Sequence, residues 1–250
     1  MSDAILTERR DRVLVITMNR PEAKNAINGD LATGLWAAIE ELDDDSGLTA
    51  AVLTGAGGAF CSGMDLKAFA RGEDIGPITT FFRNGAAKPL VGAIEGFALA
   101  GGLEIALSCD LLVAAEGARL GIPEVKVGLF AAGAGLMRLP SRVGYGKAME
   151  MAVTGDPISA EDALAFGLVS RLAPAGQAVD VAVELAERIA KNAPLAVAAS
   201  KKIIRATQGA TEEELWKIQG SMYAEVFLSN DAKEGPAAFA EKRDPNWSGT

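Results

Sequence analysis

Lys88-Pro-Leu-Val-Gly-Ala-Ile-Glu-Gly-Phe-Ala-Leu-Ala-Gly-Gly-Leu-Glu-Ile-Ala-Leu-Ser-Cys-Asp110 is the stretch around which the chain is organised. Pro89, Leu90, Val91, Ala93 and Ile94 form a short apolar run that predicts a buried strand. Gly96, Gly101 and Gly102 predict a turn, and Leu103 to Leu107 a short helix carrying Glu104 among apolar neighbours. A carboxylate there is costly to bury unless it is protonated or has a task. The glycine pair lets a ligand atom approach bare backbone N–H groups at a helix start. A donor nest beside a perturbed acid is a candidate reaction site.

Outward from this stretch, strands and helices alternate up to about residue 172 and helices follow, which predicts an α/β chain with a helical end. Upstream, 12–18 and 50–54 read as strands. Between them Asn28 caps a helix with Leu31, Leu35, Ala38, Ile39 and Leu42 on one face. Phe60 to Leu66 is a small-residue turn into a helix, and 70–87 reads as a mobile segment with a short helix near Ile78–Arg83. Downstream, Leu111–Ala115 is a strand, and Ala118–Leu120 pairs as one more. Pro123-Glu124 opens a new turn, and 128–135 is Gly/Ala-rich and close-packed. Ser159-x-x-Asp162 starts a helix, Leu168–Leu172 is a strand, and 177–191 is amphipathic through Val179, Val183, Ala186 and Ile189 or Ala190. Pro194 opens a further helix, Thr211-x-x-Glu214 is a capping box for a long one, and a last short helix precedes Pro245 and Trp247.

The totals exclude several chemistries. The 250 residues carry a net charge of −9, which opposes non-specific nucleic-acid binding. The histidine count of zero removes Ser-His-Asp and Cys-His catalysis and His-ligated metal, so acid–base work falls to Asp, Glu, Lys, Tyr or backbone. Cys61 and Cys109 are too few for a disulfide framework and point to a reducing, cytoplasmic setting. No leader pattern and no run of roughly 18 apolar residues indicates export or a membrane span. Gly55-Ala-Gly57-Gly58 follows a strand, but Phe60 stands where a dinucleotide fingerprint needs its third glycine.

Three pieces together carry a resemblance. Ala-Phe-Cys-Ser-Gly-Met-Asp-Leu (59–66), Ala-Gly-Gly-Leu-Glu (100–104) with Cys109-Asp110, and Pro-Glu-Val-Lys-Val-Gly-Leu (123–129) resemble, in that order, the enoyl-CoA hydratase/isomerase (crotonase) family. The first loop (Asn19-Arg20-Pro21, Asn25-Ala26-Ile27), Ala163 with Gly167-Leu168-Val169, and the tail from Glu234 are similar too, so the resemblance covers nearly the whole chain. It implies an α/β spiral of ββα units over 1–193 and a helical region, 194–250, used in forming trimers or dimers of trimers. It also implies an acyl-CoA thioester as ligand, with no cofactor beyond the coenzyme A that the substrate carries.

By the same resemblance the backbone N–H groups of Met64 and Gly101 form an oxyanion hole, and Glu104 and Glu124 are the acid–base pair holding one water. Lys24, Ala26, Ser62, Gly63, Asp65, Leu66, Lys67, Gly102, Pro123 and Ala132 contact the substrate, and Arg20, Lys24 and Lys67 supply cations for its phosphates. Ala131-Ala132-Gly133-Ala134-Gly135 departs from the family's Pro-Gly-Ala-Gly-Gly loop, and Met64 is bulkier than the usual Ala, so acyl preference stays open. From the residues alone, Glu104 also reads as a core carboxylate paired with an arginine, and Glu124 as a helix-start acid after Pro123. The implied activity is enoyl-CoA hydration. Carnitinyl-CoA dehydration, Δ3/Δ2-enoyl-CoA isomerisation and a non-catalytic acyl-CoA- or RNA-binding homologue are the alternatives.

Overall fold

A computed structural model describes residues 3–250. In chain order the first elements are β1 (Ile5–Arg10), β2 (Val13–Met18), α1 (Gly29–Asp44), β3 (Ala50–Gly55), α2 (Leu66–Ala70), α3 (Gly76–Asn84), β4 (Leu90–Ile94), β5 (Phe97–Leu99) and α4 (Gly101–Ser108). There follow β6 (Leu111–Ala115), β7 (Arg119–Gly121), a 3-10 turn at Pro123–Val127, α5 (Gly135–Val143), α6 (Tyr145–Thr154), β8 (Ile158–Ser159), α7 (Ala160–Ala165) and β9 (Arg171–Ala173). The chain ends in α8 (Ala178–Ala190), α9 (Pro194–Ala206), α10 (Glu212–Phe227) and α11 (Asn230–Glu241).

The main sheet has the order β1-β2-β3-β4-β6-β9, parallel except at the β1/β2 hairpin, and a second sheet has the order β5-β7-β8. The chain therefore visits the sheets alternately: β4 lies in the first and β5 in the second, then β6 and β7 likewise, with α4 between these turns. This is the spiral of ββα units that the resemblance implies. The central strands are buried on both faces, as parallel strands covered by helices must be. Alternate residues sort into two cores: Leu14, Ile16, Leu53, Leu90 and Ile94 pack with α1 and α4, while Val13, Val15, Val52, Val91 and Val113 lie under α8.

The buried face of α8 runs through Ala178, Ala182, Val183, Ala186 and Ala190. Val183, Ala186 and Ala190 are buried as expected, Val179 and Ile189 flank the stripe half-buried, and Ala178 and Ala182 extend it; small side chains at four-residue spacing let the helix lie close on the valine face. Two other expectations change, and one strand is new. The short helix expected near Ile78–Arg83 is α3, and buried Ile78, Phe81 and Phe82 anchor the segment that reads as mobile. The strand expected at Leu168–Leu172 shrinks to β9, because Leu168 and Val169 close the turn after α7 with their N–H groups on the Ala163 carbonyl. β1, which escapes notice because its side chains are largely exposed, is a genuine edge strand.

The loops of the site are stitched by single bridges, Ile27 with Met64 and Cys61 with Ala98. Asn25 locks the first of them. Fully buried and at φ 54°, it accepts from Arg20 N at 2.9 Å and donates to the carbonyls of Ala56 at 2.9 Å and Ala59 at 2.8 Å. Asn tolerates this left-handed conformation better than Ala. Asn25→Ala leaves the buried Ala59 carbonyl, the half-buried Ala56 carbonyl and the Arg20 amide without this partner, and is expected to cost roughly 2–4 kcal/mol in urea unfolding.

Candidate active site

Met64, Gly101, Glu104 and Glu124 all line one cleft of about 900 Å³. Its wall is mostly apolar, with Ile78, Phe82, Phe130 and Met137 among the contributors. Four segments distant in sequence converge here: the 61–65 loop, the start of α4, the 3-10 turn and the 131–135 loop.

Gly101 is the first residue of α4, so its N–H has no partner within the helix. Neither this amide nor that of Met64 donates to a described acceptor, since the Ile27–Met64 bridge uses Ile27 N on Gly63 O and Asp65 N on Ile27 O. The two amides are close: a Cβ added to Gly101 would stand 3.7 Å from Met64 N, and one added to Gly63 would stand 3.2 Å from Gly101 N. Gly102 makes this approach possible, since a Cβ there would be 2.3 Å from the Cys61 carbonyl oxygen. Ala100, at φ 53° and ψ −130°, turns the chain sharply into α4.

Glu104 is 4% exposed. Its Oε1 accepts from Gly133 N at 2.6 Å and Gly135 N at 2.9 Å, around Ala134 held at φ 79°. Two amides flanking a left-handed residue form an anion nest, and the nest holds one carboxylate oxygen while the residue still lines the cleft. Burial nevertheless raises its pKa above the ordinary carboxylate value; the Gly135 bond pulls it back down, and the nearby Glu124 pushes it up again. The pKa of Glu124, after Pro123 in the 3-10 turn, is likewise raised by burial, and its Oε2 is buried with no hydrogen-bond partner. Neither glutamate forms an ion pair among the described residues. Arg138 donates instead to Ser108 Oγ at 2.7 Å and to the carbonyl of Phe82. The reading of Glu104 as a carboxylate paired with an arginine therefore fails.

Ser62, Leu66, Pro123 and Ala132 also line the cleft, and no described acceptor takes the Ala132 N–H. Gly63, at φ 103°, and Gly102 are buried between the two amide-bearing segments. Ala26 is buried, and its carbonyl accepts from Arg20. Asp65 caps α2 through Lys67 N and Ala68 N and pairs with Arg20 at 3.1 Å. Both partners are thus already engaged, and Arg20 is not a free phosphate cation. Lys24 and Lys67 are exposed outside the cleft, with the Lys24 ammonium 6.0 Å from the centre of the Phe97 ring. Cys61 is buried, which pushes its thiol pKa up to about 12 and leaves it a poor nucleophile. No group of three or more acidic or thiol side chains among the described residues is placed to hold a metal ion. Nor is any described helix long and apolar enough to cross a membrane.

Gly133, Gly135 and Arg138 escape sequence reasoning, although the Gly/Ala alternation of 131–135 is an available signal of a nest. Chemically, the cleft offers two free amides for a developing oxyanion and two carboxyl groups of raised proton affinity for moving a proton.

Comparison with known proteins gives a consistent result. A family model described as Enoyl-CoA hydratase/isomerase matches residues 8–250. The chain is 42% identical over 257 residues to enoyl-CoA hydratase EchA19 of Mycobacterium tuberculosis, covering 97% of this chain and 95% of that protein. It is 40% identical over 263 residues to carnitinyl-CoA dehydratase of Proteus mirabilis, covering 100% of both. The crystal structure of enoyl-CoA hydratase EchA1 from Mycobacterium marinum superposes with a TM-score of 0.96 at 52% identity over 100% of both chains.

Proposed function

The chain belongs to the enoyl-CoA hydratase/isomerase family, and on that premise we propose that it adds water reversibly across the 2,3 double bond of a 2-enoyl-CoA thioester. The observation that carries the reading is a pair of carboxyl groups, both free of ion pairs and both raised in pKa by burial, facing the same cleft as two unpaired amides.

The thioester carbonyl accepts from Met64 N and Gly101 N. As oxygen attacks C3, negative charge moves onto that carbonyl oxygen, and the two donors, aided by the positive end of α4, stabilise it. Glu104, oriented by the 133–135 nest, and Glu124 hold the water between them, with the Ala132 N–H as a further donor to it. One carboxylate takes a proton from the water as its oxygen bonds to C3. The other carboxylic acid delivers a proton to C2, and the roles reverse in dehydration. Because the two acids interact, they titrate as a pair, and the rate follows a bell. Both pKa values are raised above 4.5, so the acid limb of kcat/KM is expected above that pH rather than below it. A limb lying below it would contradict the electrostatic account.

The reading includes assembly. Trp216, Tyr223, Phe227 and Leu228 on and just after α10, with Phe239 on α11, are exposed apolar side chains. We infer that residues 194–250 pack against copies of the same chain as trimers or paired trimers, in the cytoplasm, with CoA arriving as part of the substrate and its phosphates meeting Lys24 and Lys67. Dehydration of a carnitinyl-CoA is the second reading, supported by the relative of that name. Mixing the protein with crotonyl-CoA tests the first: enone absorbance falls if water adds. No fall with any chain length would overturn it.

A further inference from the structure

We propose that the end of this cleft beyond the glutamates receives an anion, so that the preferred substrates are 2-enoyl-CoA thioesters whose acyl chain itself ends in a carboxylate. The inference deepens the hydratase reading and rests on it.

Arg83, exposed near the C-terminal end of α3, lines the cleft, and its side chain forms no ion pair or hydrogen bond with any described residue. Arg138, on α5, lines the same cleft and is half-buried, yet its bonds go only to neutral acceptors, Ser108 Oγ and the Phe82 carbonyl. Phe82 directly precedes Arg83, so both arginines meet the same turn of α3. That turn lies beside Glu104: a Cβ on Gly133 would stand 2.4 Å from the Phe82 ring and 2.7 Å from Glu104 Oε2. Both arginines thus line the same cleft as Glu104, from the α3 turn beside it and from α5. A third cation backs them, since a Cβ on Gly85 would be 2.3 Å from Arg205 Nη1. Burial first, then Arg205 and Arg142, lower the proton affinity of Arg138 against the opposing pull of Glu104. Lys126, the other cation of the cleft, differs: it is paired with Asp156 at 2.6 Å.

The surplus is local. Glu104 and Glu124 are committed to the reacting carbons, and no other carboxylate lines the cleft. A guanidinium presents a planar fork that matches a carboxylate, and such charge-assisted pairs are about twice as strong as neutral hydrogen bonds. The same end repels a quaternary ammonium, which weighs against a carnitinyl thioester.

The test measures binding, so that it stands apart from catalysis. Glutaryl-CoA and pentanoyl-CoA share a five-carbon chain, differ only in the terminal group, and cannot be hydrated. Titration calorimetry of the whole protein is expected to give a Kd roughly tenfold lower for glutaryl-CoA, the scale of one charge-assisted bond at a partly exposed site. Arg83→Gln should bring the ratio of the two Kd values close to one, and Arg83→Glu should invert it. Pentanoyl-CoA reports in every variant whether the cleft is still formed. Tighter binding of pentanoyl-CoA by the wild type would overturn the proposal. So would an equal weakening of both ligands in the variants, which would assign Arg83 to the CoA phosphates. Failure of hydration with normal glutaryl-CoA binding would overturn the hydratase reading instead.

Discussion

Glu104→Gln is expected to lower kcat for 2-enoyl-CoA hydration by a factor on the order of 10²–10⁴, the usual worth of a general acid–base group. The substitution isolates proton handling. Its amide oxygen can still accept from Gly133 and Gly135, which bond Oε1 in the native residue, so the side chain keeps its place. Glu124→Gln should act similarly. Both variants should also melt at a higher temperature than wild type at neutral pH. A carboxyl whose folded-state pKa is raised favours folding only while protonated; that contribution is complete below the unfolded value and is lost as pH rises through the folded one. At neutral pH the unfolded chain gives up these protons more readily than the folded one, so both acids oppose folding, and a neutral amide removes the cost. The gain should shrink as pH falls toward 4.5, the ordinary carboxyl value. Glu124 should show it most clearly, because its buried Oε2 has no partner to lose. Full activity in Glu104→Gln would remove that residue from the mechanism.

The second large effect is expected from a methyl group. Gly102→Ala puts a Cβ 2.3 Å from the Cys61 carbonyl oxygen and 2.8 Å from its carbon, and both are backbone atoms that cannot swing aside. The start of α4 must then move off the 61–64 loop, separating the Met64 and Gly101 amides. Overpacking of this kind costs about 1–3 kcal/mol, and misplacing one oxyanion donor costs on the order of 10²–10³ in kcat. Denaturant midpoint and kcat should therefore fall together. If kcat is retained while stability falls, the close approach of the two amides is not what the reaction uses.

Much of the fold and of the site is legible in the residues themselves. Glu104 stands out because an acid amid Leu103, Ile105, Ala106 and Leu107 needs a reason, and Gly101-Gly102 signals a close backbone approach. Strands β2, β3 and β4 are short apolar runs, and Asn28 and Thr211 cap their helices as expected. What stays hidden depends on partners far along the chain. Nothing near Gly133 or Gly135 in sequence says that their amides close on Glu104. Asp65 and Arg20 read as ligand contacts because their mutual pairing, across 45 positions, is tertiary. Ala178 and Ala182 of the buried α8 stripe go unread because alanine carries little hydropathy signal although it permits the tightest packing.

The two carboxyl groups and two amides of this cleft are expected to add the elements of water to C2 and C3. Incubation of crotonyl-CoA with the protein in D2O, followed by proton NMR of the acyl product, reads this directly. The expected product is 3-hydroxybutyryl-CoA carrying one deuterium at C2. An unsaturated product whose double bond has moved, or crotonyl-CoA recovered unchanged, would contradict it.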